Sequence, residues 1–396
     1  MINLELSENM VKLQQNIKMV AKSMFRPISR KYDEAEHEYP KELDVFRGAP
    51  LFSRSKNKKE APSPASPDKG RSGPALGQIL SVEAMCWGDC GLLMSVPNAG
   101  VGNAALVAVG TDEQVEKWGG KWIAFANTES GAGSDAGSVQ TTADADGGEW
   151  VINGEKIFVT CADRCDAVVV WATLDKLLGK AGIKPFLVEK GNPGMKLEHL
   201  EKKCGLRASD TGTFVFTDCR IPKENILGDP EIKQTSEGFK GVMKTFDMTR
   251  PMVASMANGL ASASLDLVKD KMAEKGVEPD YHKTPNQLSA MEKEYLMMEA
   301  NLEAMRLLTY KAAWMADKDL PNNVEASMAK AKSGRTATLI AQKCCDLLGP
   351  LGFTTKELAE KWMRDVKIMD IFEGTGQIQH LIIARHILKL SSKELK

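Results

Sequence analysis

Neither sign of charge predominates in this sequence: 52 Lys and Arg stand against 53 Asp and Glu, a formal net charge of −1. Without a basic excess, the electrostatic footprint of a nucleic-acid-binding surface is missing. Histidine is scarce, and the five present (His37, His199, His282, His380, His386) form no chelating or triad spacing. His380 and His386 would lie on different faces of a predicted helix. The eight cysteines contain no paired C-x-x-C, which argues against a structural zinc. They are expected as buried free thiols of a reducing cytoplasm. No long unbroken apolar run occurs. The longest uncharged stretch, 91–111, is interrupted by Pro97, Asn98, Gly100, Gly102 and Asn103, and reads as two buried helical pieces joined by a turn. Residues 1–10 carry Glu5 and Glu8 before any basic residue, unlike a secretory signal or an Arg-rich transit peptide. The expectation is a cytoplasmic chain with no membrane span.

What the sequence does have is an ordinary globular balance, 43% apolar and 27% charged over 396 residues. That length exceeds one hydrophobic core and predicts two or three domains. Over 7–30, apolar residues recur at helical spacing (Met10, Leu13, Ile17, Val20, Met24), as in an amphipathic helix. After Arg47 the pattern dissolves into 49–74, rich in Lys, Ser and Pro, a flexible solvated loop by composition. Helical texture resumes over 75–118.

From 122 to 222 the texture is β. Val151-Ile152 and Ile157-Phe158-Val159 flank Asn153-Gly154, a hairpin signal because both turn residues tolerate φ > 0. Segments 167–173, 185–189 and 213–217 are further strand candidates, and short strands between Gly and Pro turns predict a small β-barrel or sandwich. Helical texture returns at about 237. Segment 252–268 has the small residues of close helix contact, and periodic segments follow over 286–316, 323–348 and 375–390. The expected class is α+β: an N-terminal α-helical domain over 1–121, a central β-domain over 122–235 and a helical bundle over 236–396.

Two segments have the composition of a site. Thr128-Glu129-Ser130-Gly131-Ala132-Gly133-Ser134-Asp135 follows a predicted strand. Its glycines allow close backbone approach to a ligand, and its Thr and Ser supply hydroxyls for a flavin or a phosphate. It is not G-x-G-x-x-G in a βαβ unit, which disfavours a Rossmann site; alone, it is an ordinary glycine-rich turn. Phe372-Glu373-Gly374-Thr375-Gly376-Gln377-Ile378-Gln379 joins two helical stretches, with Thr375 a plausible N-cap. A carboxylate on a glycine-flanked loop beside a helix start can reach a substrate, yet a lone loop glutamate is more often a surface residue or a cap.

Together and in this order, the two segments resemble the acyl-CoA dehydrogenase family. Gly110-Thr111-Asp112-Glu113-Gln114, Ser209-Asp210-Thr211 and Met363-Arg364-Asp365-Val366-Lys367-Ile368 match its motifs as well, with the similarity strongest over 122–390. The resemblance implies a helical domain, a central β-domain and a C-terminal four-helix bundle. It also implies FAD-dependent α,β-dehydrogenation of an acyl-CoA thioester to the trans-2-enoyl-CoA. Glu373 is implied as the base that takes the α-proton, because the other position some members use, within Asp247-Met248-Thr249-Arg250, holds Thr249. By the same resemblance Phe125, Thr128, Ser134, Phe158 and Thr160 line the flavin, and Thr375 and Gln377 touch the adenosine-diphosphate half of FAD. Asp247 and Arg250 would hold the CoA moiety, with Ser134 and Phe372 also at the substrate. No metal is implied. Electrons would pass to an electron-transfer flavoprotein, and the assembly would be a homotetramer or a heterotetramer with a sister subunit.

Several places depart from the family pattern. The Arg-x-x-Phe-Gly motif that members contribute to a neighbouring subunit's FAD aligns with Glu278-Pro279-Asp280-Tyr281-His282-Lys283. Tyr281 replaces the aromatic ring, Glu278 reverses the arginine's charge, and Lys283 is the compensating cation at hand. A usual glutamine is Ser289, and the usual double glycine reads Gly349-Pro350-Leu351-Gly352. The stretch 114–124 is shorter than usual. The reading that follows is an FAD-dependent acyl-CoA dehydrogenase. Its alternative is an FAD-deficient or non-catalytic subunit that binds acyl-CoA.

Overall fold

A computed structural model describes residues 5–47, 73–97, 101–229, 231, 237–391 and 394–395, without the side chains of 237–248. The expected loop over 49–74 falls outside the described residues except at its end. There Pro74 is already the first residue of a helix, a position where its missing N–H is no loss.

The first helix, α1 (Glu8–Val20), starts where Ser7 caps it by accepting the Met10 N–H. The coil then passes through a π turn (Ala21–Phe25) and a 3₁₀ turn (Arg26–Ile28) before α2 (Ser29–Glu34). Pro27 lies in that irregular stretch and has no N–H to continue an α ladder. Next come α3 (Pro74–Gly88), α4 (Cys90–Leu93), α5 (Val101–Val109) and α6 (Asp112–Trp118). The uncharged stretch over 91–111 is thus shared between α4 and α5, and no described helix is long and apolar enough to cross a membrane.

Seven strands form one curled sheet, a half-barrel: β1 (Ile123–Ala126), β2 (Thr142–Asp146), β3 (Glu149–Thr160), β4 (Ala167–Thr173), β5 (Ile183–Glu189), β6 (Met195–Leu200) and β7 (Thr211–Pro222). Their order is β1-β4-β2-β3-β7-β6, with β5 also on β4. Every residue of β4 is buried, because the strand faces two cores. Val168, Val170 and Ala172 point into the half-barrel beside Phe186 and Phe214. Ala167, Val169 and Trp171 point outward onto Leu106 and Trp118 of the covering helices. The sheet curls until the Ile157 N–H of β3 donates to the Thr128 carbonyl just after β1, at 2.9 Å.

The Asn153-Gly154 pair is not a hairpin turn. β3 runs straight through it, and Gly147 and Gly148 reverse the chain between β2 and β3. The pair instead makes a bulge in the β3–β7 pairing, between Ile152 and Gly154. Gly154 takes φ +151 where a Cβ would collide with Thr141, and the Asn153 Oδ1 accepts the Asp218 N–H at 2.8 Å. Tolerance of unusual φ was legible; its use was not.

The rest is helical: α7 (Glu237–Ala273), α8 (Ala290–Asp317), α9 (Asn323–Leu348), α10 (Ala359–Val366) and α11 (Gly376–Leu388). Helices α7, α8, α9 and α11 make the expected bundle. On α7, Ala254, Ala257 and Ala261 are buried, and Ser255 reaches the Ile79 carbonyl of α3, the close contact its small residues predict. Helix α8 begins at Ala290 and not at 286, because Ser289 and Glu292 form a reciprocal capping box. Its last residue, Asp317, accepts the Ala75 and Leu76 N–H groups at the start of α3. Helix α10 lies between the predicted periodic segments 323–348 and 375–390.

Candidate active site

Between α10 and α11 the chain makes a 3₁₀ turn (Lys367–Asp370) and then a short loop that holds Glu373. Thr375 caps α11 as expected, its Oγ1 accepting the Ile378 N–H at 3.3 Å. The reversal that precedes the cap falls on Glu373 at φ +56 and Gly374 at φ +87. A glutamate at positive φ is uncommon and persists only where its surroundings hold it. Here Gln379 Nε2 donates to the Gly374 carbonyl at 3.0 Å, and Lys330 Nζ from α9 donates to the same oxygen at 2.6 Å.

The Glu373 carboxylate turns toward α7. Thr249 Oγ1 donates to its Oε2 at 2.7 Å, and both Thr249 and Arg250 are buried. Burial pushes the carboxyl above the usual glutamate range, while the Thr249 bond and the charges of Arg250 and Lys330 act against that rise. The Glu373 N–H makes no hydrogen bond among the described residues. Asp247 belongs to the backbone of α7, with its side chain outside the described residues. Pro251, one residue past Arg250, has no N–H to bond the Asp247 carbonyl. Phe372 is half-buried against the bundle core.

The half-barrel carries the second group of expected residues. Phe125 on β1 is half-buried, its ring 6.2 Å from that of Trp171. Thr128 and Thr160 are half-buried and Ser134 is exposed, and their hydroxyls bond no described residue. Phe158 sits in a second bulge, where β3–β7 pairing skips from Lys156 to Val159. It combines φ +56 with 61% exposure. A bulky aromatic side chain in the left-handed region, turned to solvent, is unfavourable on both counts and marks a surface shaped for something else.

Beneath the glycine-rich segment lies a knot that sequence reasoning missed. Glu129 Oε1 accepts from Lys156 Nζ at 2.7 Å, from Thr141 Oγ1 at 2.6 Å and from Thr141 N–H at 3.0 Å. Its other oxygen accepts the Gln140 N–H at 2.7 Å. Lys156 is fully buried, and burial pulls its pKa down to about 8 despite Glu129. A signal existed, since Lys156 occupies the inward register of Ile152 on a period-2 strand.

The segment 203–210 joins these two groups. At one end the Asp210 carbonyl accepts the Cys161 N–H, next to Thr160, and its carboxylate pairs with Arg164 at 3.2 Å. At the other, the Leu206 N–H donates to Asp365 at 2.6 Å and Arg364 donates to the Cys204 carbonyl at 2.7 Å. Arg364 and Asp365 lie on α10, just ahead of the Glu373 loop. The motifs Ser209-Asp210-Thr211 and Met363–Ile368 therefore serve as the joint between half-barrel and bundle.

The remaining expected residues lie apart. Gln377 is exposed on α11, and Tyr281 is 59% exposed. Glu278 is exposed, while Lys283 faces Asp280 at 3.8 Å and Glu292 at 4.0 Å. A groove of about 690 Å³ lies away from Glu373. It lies on α8, α9 and α11, lined by Met297, Leu339 and Ile383 together with Lys332, Arg335 and His380. Among the described residues no group of His, Cys, Asp and Glu could hold a metal ion.

Known proteins match this arrangement. The acyl-CoA dehydrogenase middle-domain family model matches residues 124–219, and the C-terminal-domain model matches 236–388. The chain is 36% identical over 395 residues to the mitochondrial short-chain specific acyl-CoA dehydrogenase of Bos taurus, covering 98% of this chain and 92% of that one. It is 34% identical over 328 residues to the caffeyl-CoA reductase-Etf complex subunit CarC of Acetobacterium woodii, covering 81% and 84%. The butyryl-CoA dehydrogenase structure from Megasphaera elsdenii superposes with a TM-score of 0.83 at 27% identity, covering 98% of this chain and 100% of that one. A curled half-barrel joined to a helical bundle, matched along nearly the whole chain, places this oxidoreductase in the acyl-CoA dehydrogenase family.

Proposed function

We propose that the chain oxidises an acyl-CoA thioester to the trans-2-enoyl-CoA, with Glu373 as the base for the α-proton, FAD as cofactor and an electron-transfer flavoprotein as electron acceptor. The observation that carries this reading is the state of Glu373: half-buried with its pKa raised by burial, oriented by Thr249 and held at positive φ. The α-proton of a thioester is weakly acidic, so a carboxylate raised above its ordinary pKa is a better-matched base. The open N–H of Glu373 is a donor for the thioester carbonyl, where charge builds as the proton leaves. Thr249 holds the carboxylate in one orientation. Arg250 and Asp247, three residues before it, are assigned to the CoA moiety, and Phe372 to the substrate.

Bound FAD supplies the acceptor for the β-hydride. The residues of the half-barrel fit its ring and ribityl end: the bulged Phe158 offers an aromatic face, Phe125 a second, and Thr128, Ser134 and Thr160 a set of unengaged hydroxyls. Thr375 and Gln377 are assigned to the adenosine-diphosphate half. In the reverse direction Glu373 returns the proton, a use in keeping with relatives named as reductases. Acyl-CoA esters added anaerobically to flavin-replete protein are expected to bleach its flavin absorbance, the best ester identifying the acyl class. No bleaching by any straight-chain, branched or aromatic ester sinks the proposal.

One observation favours a second reading, in which this chain is the flavin-poor subunit of a heterotetramer. At the position aligned with the diphosphate-binding arginine, Glu278 presents a negative charge, and Lys283 already faces two carboxylates. The chain expressed alone is then expected to hold less than one flavin per subunit. Glu278→Arg should tighten FAD binding about tenfold, the scale of one charge-assisted phosphate contact. Full flavin occupancy of the unaltered chain in a homotetramer removes the case for a sister subunit.

A further inference from the structure

Three lysines among the described residues are fully buried: Lys156, Lys330 and Lys361. Two of them touch carboxylates, Lys156 with Glu129 at 2.7 Å and Lys361 with Asp89 at 2.7 Å and Asp365 at 2.5 Å. Lys330 makes no ion pair with a described residue. Its hydrogen bond goes instead to the carbonyl of Gly374, the residue after the proposed base. An ammonium removed from water without a carboxylate partner is unfavourable, and an apolar side chain would pack there at lower free energy. Its presence calls for a task other than packing.

We propose that Lys330 is a positioning residue for Glu373: it grips the Gly374 carbonyl and so holds the left-handed turn that aims the carboxylate. The inference rests on reading Glu373 as the base. With Gln379 on the same oxygen, the peptide is held from α9 and α11 at once. Successive residues at φ +56 and +87 would otherwise relax toward commoner conformations, and the carboxylate would swing off Thr249.

Charge adds a second effect. The ionisable groups facing Lys330 are Asp370 on the 3₁₀ turn, Glu373 on the loop and Arg250 on α7. Burial pulls Lys330 down to about 8, which leaves it cationic at neutral pH. Its charge lowers the pKa of Glu373 against the rise caused by burial. Without that cation Glu373 keeps its proton to higher pH, so the acidic limb of the rate profile moves upward.

The test compares Lys330→Met, Lys330→Arg, Gln379→Leu and Glu373→Gln in FAD-loaded protein, using single-turnover bleaching by an effective acyl-CoA across pH. Bound flavin and melting temperature are measured for each. Lys330→Met is expected to slow bleaching per bound flavin about ten- to hundredfold, with half-saturating acyl-CoA little changed and the acidic limb shifted up. Lys330→Arg should restore most of the rate and the limb. Gln379→Leu, which removes the neutral donor, should slow bleaching without moving the limb, and it reads the grip even if Lys330→Met fails to fold. Native rate and limb in Lys330→Met, or native rate in Gln379→Leu when the former does not fold, overturn the inference. So does a loss confined to flavin content, with the rate per remaining flavin intact. Native bleaching by Glu373→Gln is a separate failure, removing the base itself whatever the Lys330 variants do.

Discussion

Glu373→Gln is expected to slow acyl-CoA-dependent bleaching by about 10²–10⁴-fold or more, the contribution of a positioned general base. The amide keeps the shape of the side chain and its carbonyl oxygen can still accept the Thr249 hydroxyl, but it cannot take a proton. Flavin content and acyl-CoA binding should survive. Stability supplies the control. The folded-state pKa of Glu373 is raised above its unfolded value. Its contribution to stability is therefore present below the ordinary glutamate pKa and lost as pH rises through the folded one. At neutral pH the native carboxylate opposes folding, and glutamine does not. The variant should melt no lower than the native protein at pH 7, and any gain should vanish in acid below the glutamate range. Bleaching at the native rate by a stably folded Gln variant would end the assignment.

Lys361→Met should be the most damaging single change to the fold. Lys361, Asp89 and Asp365 are all fully buried, with Ser29 bonded to Asp89 and the Leu206 N–H bonded to Asp365. Burial and the charge of Asp89 push Asp365 up, and Lys361 holds it down. Removing the lysine leaves two carboxylates facing one another without water, a loss of about 3–5 kcal/mol for breaking a buried charge cluster. Urea unfolding followed by circular dichroism measures it. Adding Asp89→Asn and Asp365→Asn to the same chain should recover much of the loss, because the uncompensated charge is what destabilises. A loss below about 1 kcal/mol would mean that the cluster behaves as a solvated surface pair.

Much of the fold could be read from the sequence where its signals were local. The unbroken periodicity of 323–348 predicts the bounds of α9. Periodicity alone sets the start of α8 too early, although Ser289-x-x-Glu292 carries the capping-box signature that fixes it. Asn153-Gly154 misled because a glycine that tolerates unusual φ serves a bulge as readily as a turn: Gly154 takes φ +151 while Asn153 is not at positive φ, and the pairing with β7 is what tells the two apart. The site was less legible. Glu373 stood out through family resemblance, not through its own neighbourhood. In the sequence Thr249 marks a base that is absent, and nothing there marks it as a donor to Glu373. Its partner is 124 residues away, and that of Lys330 is 44. Helical periodicity reports which face a residue occupies, and says nothing about which distant carbonyl or carboxylate meets it there.

The joint over 203–210 has a consequence for how such a protein can be recombined. One short segment answers to Glu36 near α2, to Ser95 after α4, to Cys161 and Arg164 at the end of β3, and to Arg364 and Asp365 on α10. The half-barrel is therefore not a cassette with an inert border. A chimera that grafts it onto another member's helices must meet four foreign residues, at the positions of Glu36, Ser95, Arg364 and Asp365, and the same mismatch reaches the Glu373 loop a few residues beyond α10. Because the segment offers mostly backbone groups, the Lys203 and Leu206 N–H and the Cys204, Ala208 and Asp210 carbonyls, its path matters more than its own side chains, and the side chains that a graft must keep are those of its partners.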